Sequence, residues 1–133
     1  SMLERWSEKS LLDVLGNEGV GCIPFSPLAQ GLLSNKYLNG IPAGSRAALD
    51  HGFLQKDVIT ENLVDKLKSL NEIALNRNQS LAQMALAWLL KDERVTSVLI
   101  GASKVSQLED SLECLKNKTF DIAELEAIEL ILK

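Results

Sequence analysis

The chain has 133 residues, 46% of them hydrophobic and 24% charged, and a formal net charge of −4. That length sets one domain with enough apolar material for a core. The acidic balance, with no Lys/Arg stripe, argues against nucleic acid as the main partner. No apolar run reaches the ~18 residues of a membrane span. No signal peptide is expected, and Ser1-Met2 reads as a tag scar before a start methionine. Cys22 and Cys114 stand far apart without a CxxC, which suits reduced packing residues of a cytoplasmic protein.

Ser7 is placed to cap a first helix over 8–15, with Leu11, Leu12, Val14 and Leu15 as its apolar face. Gly16 to Gly19 follows as a turn, and the apolar run at 19–23 reads as a buried strand. From Ser26 to about Ile59 the pattern predicts a long loop holding Pro27, Pro42 and four glycines. Loops of that length inside a compact domain are usually functional or disordered. Thr60 caps a helix to about Asn76, with Leu63, Val64, Leu67, Leu70, Ile73 and Ala74 at helical spacing. Ser80 and Gln83 form a capping box for a helix over 81–91 that is apolar nearly all round and so buried on several sides.

Val95 to Ile100 reads as a second strand, ending in Gly101-Ala102-Ser103-Lys104. A helix over 105–116 is expected to turn Val105, Leu108, Leu112 and Leu115 inward. Asp121 and Glu124 form another capping box, before a terminal helix striped by Ile122, Leu125, Ile128 and Leu132. The alternation of strand and helix gives an α/β class with about two parallel strands and right-handed crossovers. Two strands are few for such a domain, because parallel sheets need both faces and both edges covered. The chain therefore reads as a piece of something larger.

Strand C-termini in α/β proteins are where ligands bind, and both strand ends carry suitable groups. Phe25 offers a flat face for stacking, Ser26 a hydroxyl and Gly31 a bare backbone. Gly101 permits close backbone approach, and Ser103 is placed to cap the following helix, whose free N–H groups attract anions. Lys104 adds a charge and Gln107 lies one turn on. Lys36 and Arg46 in the long loop are candidates for closing over phosphates. Against this stand plainer readings: a core Phe25, a capped surface helix and solvated loop charges. The single His51 and the Glu124, Glu126 and Glu129 face read as solvated surface, Trp88 as core, and Trp6 and Tyr37 as undecided. No nucleophile–base pair and no metal-ligand spacing is present.

The run Phe25-Ser26-Pro27-Leu28-Ala29-Gln30-Gly31-Leu32-Leu33-Ser34-Asn35-Lys36-Tyr37, with Gly40-Ile41-Pro42, Ser45-Arg46, the stretch from Ser80 to Leu90 and Val98-Leu99-Ile100-Gly101-Ala102-Ser103-Lys104, resembles the aldo/keto reductases. Within them the nearest branch is that of bacterial reductases and potassium-channel β subunits. The resemblance covers essentially the whole chain and implies the C-terminal portion of a (β/α)8 TIM barrel, an incomplete barrel forming one partial domain over 1–133. It implies an NADP(H) cofactor and hydride transfer to an aldehyde or ketone. By the same resemblance Phe25 stacks on the nicotinamide. Ser26, Leu28 and Gly31 hold the pyrophosphate, with Lys36 and Arg46 clamped over it. Gly101, Ser103, Lys104 and Gln107 take the adenosine 2′-phosphate end. Asp110 and Ser111 stand where the family has Glu-Asn for the adenine, which implies weaker contacts there. The family's catalytic Asp, Tyr, Lys and His belong to the barrel's first half, so this chain alone is expected to be inactive. Three readings follow: an enzyme fragment lacking its N-terminal half, a stand-alone nucleotide-binding or protein-interaction module that folds as a homodimer, and a regulatory subunit.

Overall fold

The computed structural model of the chain describes residues 1–48 and 54–133, apart from the side chain of Arg46. His51 and Gly52 lie outside the described residues. Among the described residues five α-helices, α1 (Leu11–Asn17), α2 (Glu61–Asn76), α3 (Leu81–Leu90), α4 (Val105–Leu112) and α5 (Ile122–Leu132), are joined by loops and short 3-10 turns. Three helix starts match their sequence signals closely. Thr60 Oγ1 accepts the Leu63 N–H at 3.1 Å, and Ser80 and Gln83 close a reciprocal capping box. Asp121 and Glu124 do the same for α5. Such caps satisfy N–H groups that the first helical turn leaves orphaned.

The core lies between α2, α3 and α5, with α4 and the 3-10 turn Glu113–Lys116 packed on the other side of α3. Leu81, Met84, Ala85, Leu86, Ala87, Trp88 and Leu89 are all buried, as the all-round apolarity of α3 predicts. Leu67, Leu70 and Ala74 of α2 and Ile128 of α5 meet it, and Leu33 and Tyr37 from the long loop are buried in the same cluster. Tyr37 is thereby a core residue, whereas Trp6 stays exposed.

The first helix differs from its expectation. Ser10, at φ −161°, interrupts the helical path. Trp6–Lys9 therefore forms a 3-10 turn, and α1 begins only at Leu11 without a side-chain cap. Ser7 lies inside that turn, and Leu11 and Val14 are exposed while Leu12 is buried. Helix α1 ends as the glycines suggest. Gly19 at φ +66° lets the Val20 N–H reach the Leu15 carbonyl at 2.8 Å and its own N–H reach that of Gly16 at 3.3 Å, a Schellman closure.

Neither apolar run at 19–23 or 95–100 forms a strand; among the described residues the pairing is one parallel bridge, Cys22 with Val95. Cys22 donates to the Arg94 carbonyl at 3.3 Å and accepts from the Thr96 N–H at 2.9 Å. The next donor in the ladder is residue 24, a proline with no N–H. Beyond it the Pro24 carbonyl accepts from the Leu99 N–H at 3.0 Å, so two residues on one segment oppose three on the other and the register slips. Val20 and Ile23, expected buried, are exposed. Val98 and Ile100 instead pack on Leu86, Ala87 and Cys114, and burial pushes the Cys114 thiol pKa up.

The two segments approach closely at Gly21, where an added Cβ would stand 2.3 Å from Thr96 Oγ1. Gly21→Ala is expected to cost about 1–3 kcal/mol by overpacking, with much of the loss recovered in Gly21→Ala/Thr96→Ala. Urea denaturation checks this, and an undiminished Gly21→Ala protein would contradict the close approach.

The expected helix over 105–116 is split into α4 and the 3-10 turn Glu113–Lys116. Its apolar stripe does not face inward: Val105, Leu108, Leu112 and Leu115 are 74%, 43%, 51% and 51% exposed. The long loop from 26 to 59 contains 3-10 turns at Ala29–Gly31, Asn35–Tyr37, Arg46–Ala48 and Lys56–Val58. No helix among the described residues is long and apolar enough to cross a membrane.

Candidate functional site

The Leu99–Pro24 bond brings the ends of the two extended segments side by side. Phe25 and Ser26 leave the first end; Gly101, Ser103 and Lys104 leave the second. Phe25 is 74% exposed, so it is a surface residue and not a core one. Ser26, Gly101, Ser103 and Lys104 are exposed too.

After Phe25 the backbone turns left-handed repeatedly, with φ of +51° at Ser26, +46° at Ala29, +62° at Gln30 and +96° at Gly31. Non-glycine residues adopt this region rarely, and such geometry gathers at functional sites. The turn is held from inside. The Leu28 carbonyl accepts N–H bonds from Gly31 at 2.9 Å and Leu33 at 3.1 Å. The Ser34 hydroxyl donates to the Gly31 carbonyl at 2.6 Å. The Leu28 side chain packs against both core clusters. Lys36 is exposed in the following 3-10 turn, and the side chain of Arg46 lies outside the described residues.

At the second end Lys104, not Ser103, is the N-cap of α4, and no side chain caps that helix. Ser103 instead donates both its N–H, at 2.9 Å, and its hydroxyl, at 3.1 Å, to Gln107 Oε1. The extended φ of Lys104, −140°, places the cap one residue later than the serine. The Ser111 hydroxyl donates to the Gln107 carbonyl at 2.8 Å, and Gln83 Nε2 donates to Asp110 Oδ1 at 2.7 Å. Ser103, Gln107 and Ser111 thus form one chain of bonds along α4, while Asp110 ties α4 to α3. Neither Lys36 nor Lys104 is ion-paired among the described residues. An uncapped helix start beside a free ammonium is suited to an anion.

A family model described as "Aldo/keto reductase family" matches residues 1–133. The chain belongs to the aldo/keto reductase family. Among curated relatives, an L-glyceraldehyde 3-phosphate reductase of Escherichia coli O157:H7 is 55% identical over 134 positions, 97% of this chain and 38% of the relative. The L-glyceraldehyde 3-phosphate reductase of Escherichia coli strain K12 matches with the same figures. The chain therefore spans well under half the length of these relatives. For this family member, Phe25, Ser26, Gly101, Ser103 and Lys104 lie at one end of the paired segments, and Gln107, Asp110 and Ser111 continue along α4.

One buried polar network was not signalled by the sequence. Arg77, at the end of α2, is 7% exposed. Its Nη1 pairs with Glu124 Oε2 at 2.7 Å, its Nε donates to Gln79 Oε1 at 2.9 Å and its Nη2 to the Asn117 carbonyl at 3.1 Å. The guanidinium lies 3.7 Å from the centroid of Phe120. Glu124 is thus no solvated-face residue. Glu129 stays 45% exposed at its side chain but pairs with Arg5 at 2.7 Å, while Arg5 also pairs with Glu8 at 2.6 Å. These carboxylates hold the Arg5 guanidinium more firmly protonated than usual. Likewise Arg94, bonded to Asp92 through Nε at 2.8 Å and Nη2 at 2.6 Å, lowers the Asp92 pKa.

Proposed function

We propose that this chain is the cofactor-cradling portion of an NADP(H)-dependent aldo/keto reductase acting on an aldehyde or ketone. The observation that carries the reading is the convergence of two segment ends through the Leu99–Pro24 bond, with an uncapped α4 start and free Lys104 at one of them. The residues fit an anionic cofactor: α4 offers N–H groups that no side chain claims, and Lys104 a full charge. In this reading Gly101, Ser103, Lys104 and Gln107 hold the adenosine 2′-phosphate end. Ser26, Leu28, Gly31, Lys36 and Arg46 hold the pyrophosphate, Phe25 stacks on the nicotinamide, and Asp110 and Ser111 flank the adenine. NADPH supplies the hydride when bound, and no residue of this chain is assigned a catalytic role. A phosphorylated aldehyde is the substrate class that the named E. coli relatives favour, and a cytoplasmic setting suits the free thiols of Cys22 and Cys114.

Calorimetric titration with NADPH and NADH tests the reading. The expected result is measurable NADPH binding with a preference over NADH that Lys104→Ala removes, and no turnover of glyceraldehyde 3-phosphate by the chain alone. Absence of NADPH binding would refute the cradle, and aldehyde reduction would refute the lack of catalytic residues. A second reading, a non-catalytic module pairing as a homodimer, draws on the exposed apolar side chains of α4.

A further inference from the structure

The end of α3 and the loop before α5 line a cavity of about 550 Å³, within the size range of small-molecule sites. It lies away from the candidate cofactor end. Residues 91–94 lead into the second extended segment at Val95, whereas Gly101 to Lys104 leave the other end of that segment. The apolar wall of the cavity is Leu90, Phe120 and Leu125, all half-buried. The buried Arg77 guanidinium, 3.7 Å from the Phe120 centroid, holds that ring in place. Lys91, Lys118 and Thr119 form an exposed polar rim.

The rim carries donors that the protein does not use. Neither Lys91 nor Lys118 is ion-paired among the described residues. The carboxylates near Lys91 are already engaged: Arg94 bonds both oxygens of Asp92, and Arg5 holds Glu8 and Glu129. The Lys91 ammonium rests instead over the Trp88 ring. The backbone N–H groups of Lys118, Thr119 and Phe120 and the Thr119 hydroxyl make no hydrogen bond among the described residues. We propose that this cavity binds a small amphiphilic anion, an apolar body carrying one anionic head, with the head on Lys91 and Lys118 and the body against Leu90, Phe120 and Leu125. A neutral apolar molecule would gain nothing from the ammonium groups, and an inorganic anion nothing from the wall. The site needs neither NADP(H) nor Lys104, so it stands apart from the reductase reading.

The test titrates phenylpropionate into the full, isotope-labelled chain and follows backbone amide shifts by nuclear magnetic resonance. The expected result is a saturable shift at Lys118, Thr119 and Phe120, with a dissociation constant on the order of 1 mM for so small a ligand. Phenylpropanol, which lacks the charge, and acetate, which lacks the ring, should each bind about tenfold more weakly. Lys91→Gln/Lys118→Gln, a change at exposed positions, should weaken phenylpropionate by about the same factor and leave the helical circular dichroism intact. Lys68→Gln/Lys133→Gln removes the same charge at exposed positions outside the cavity and should leave binding within about twofold. The proposal is overturned by the absence of a saturable shift at the three amides, by equal binding of phenylpropanol or acetate, or by binding that Lys91→Gln/Lys118→Gln does not weaken. Shifts confined to Phe25 and Gly101 to Lys104 would put the anion at the cofactor end and overturn it as well. A separate NADPH titration reports on that end alone.

Discussion

Arg77→Met is expected to lower the unfolding free energy by about 3–5 kcal/mol, the usual cost of removing one partner from a buried ion pair. The guanidinium is bonded at Nε, Nη1 and Nη2, to Gln79, Glu124 and the Asn117 carbonyl. Removing it strands the half-buried Glu124 carboxylate and leaves the Gln79 side chain and the Asn117 carbonyl short of a partner. Gln79 Nε2 still reaches the Asn117 carbonyl at 3.0 Å, which limits but does not cancel the loss. Arg77→Lys should recover little, because an ammonium cannot present the planar fork these acceptors require nor stack on Phe120 as the guanidinium does. Glu124 also accepts the Asp121 N–H at 2.8 Å as part of the α5 capping box. Glu124→Gln should therefore cost less than Arg77→Met, and the double variant less than the sum. Urea denaturation of the four proteins gives all these values, and an Arg77→Met protein within about 1 kcal/mol of the parent would show that the network is not a stabilising contact.

Trp88→Ala is the second large effect, again about 3–5 kcal/mol, from lost burial and the cavity left behind. Trp88 is 4% exposed in the last turn of α3, with the Arg5 guanidinium 5.1 Å and the Lys91 ammonium 4.3 Å from its ring centroid. Partial desolvation of the ammonium lowers the Lys91 pKa. Trp88 Nε1, however, is buried without a hydrogen-bond partner among the described residues. An orphaned donor carries a desolvation penalty, so Trp88→Phe, which deletes it and keeps most of the ring, should lie within about 1.5 kcal/mol of the parent, as volume-sparing core changes usually do. Thermal unfolding of the two variants separates the cases. Equal losses would mean that the indole N–H has a partner after all.

What could be read from the sequence divides by the range of the interaction. Thr60, Ser80–Gln83 and Asp121–Glu124 each close a bond across three residues, and α2, α3 and α5 begin where those residues say. The family motif was readable for the same reason, since Phe25 to Tyr37 and Val98 to Lys104 are contiguous runs. Periodicity was weaker evidence. In α4 it identifies an apolar face but not whether anything covers that face, and here the stripe is bare. The apolar runs at 19–23 and 95–100 looked like strands because neither run includes the proline that ends the pairing. Arg77 gave no local sign at all: its partners Asn117 and Glu124 lie 40 and 47 positions away, and a charged residue at a helix end ordinarily sits in solvent.

The missing N–H of Pro24 reaches beyond the register of one pair. Protection from hydrogen exchange follows the most cooperative part of a fold, and here that part is the helical core of α2, α3 and α5. The amides of Thr96 and Leu99 are held by single bonds across an interrupted ladder, so they should exchange through local opening while those of Leu70 and Ala85 wait for global unfolding. The segments that carry Phe25 and Lys104 can then separate and re-form without melting the helices that support them.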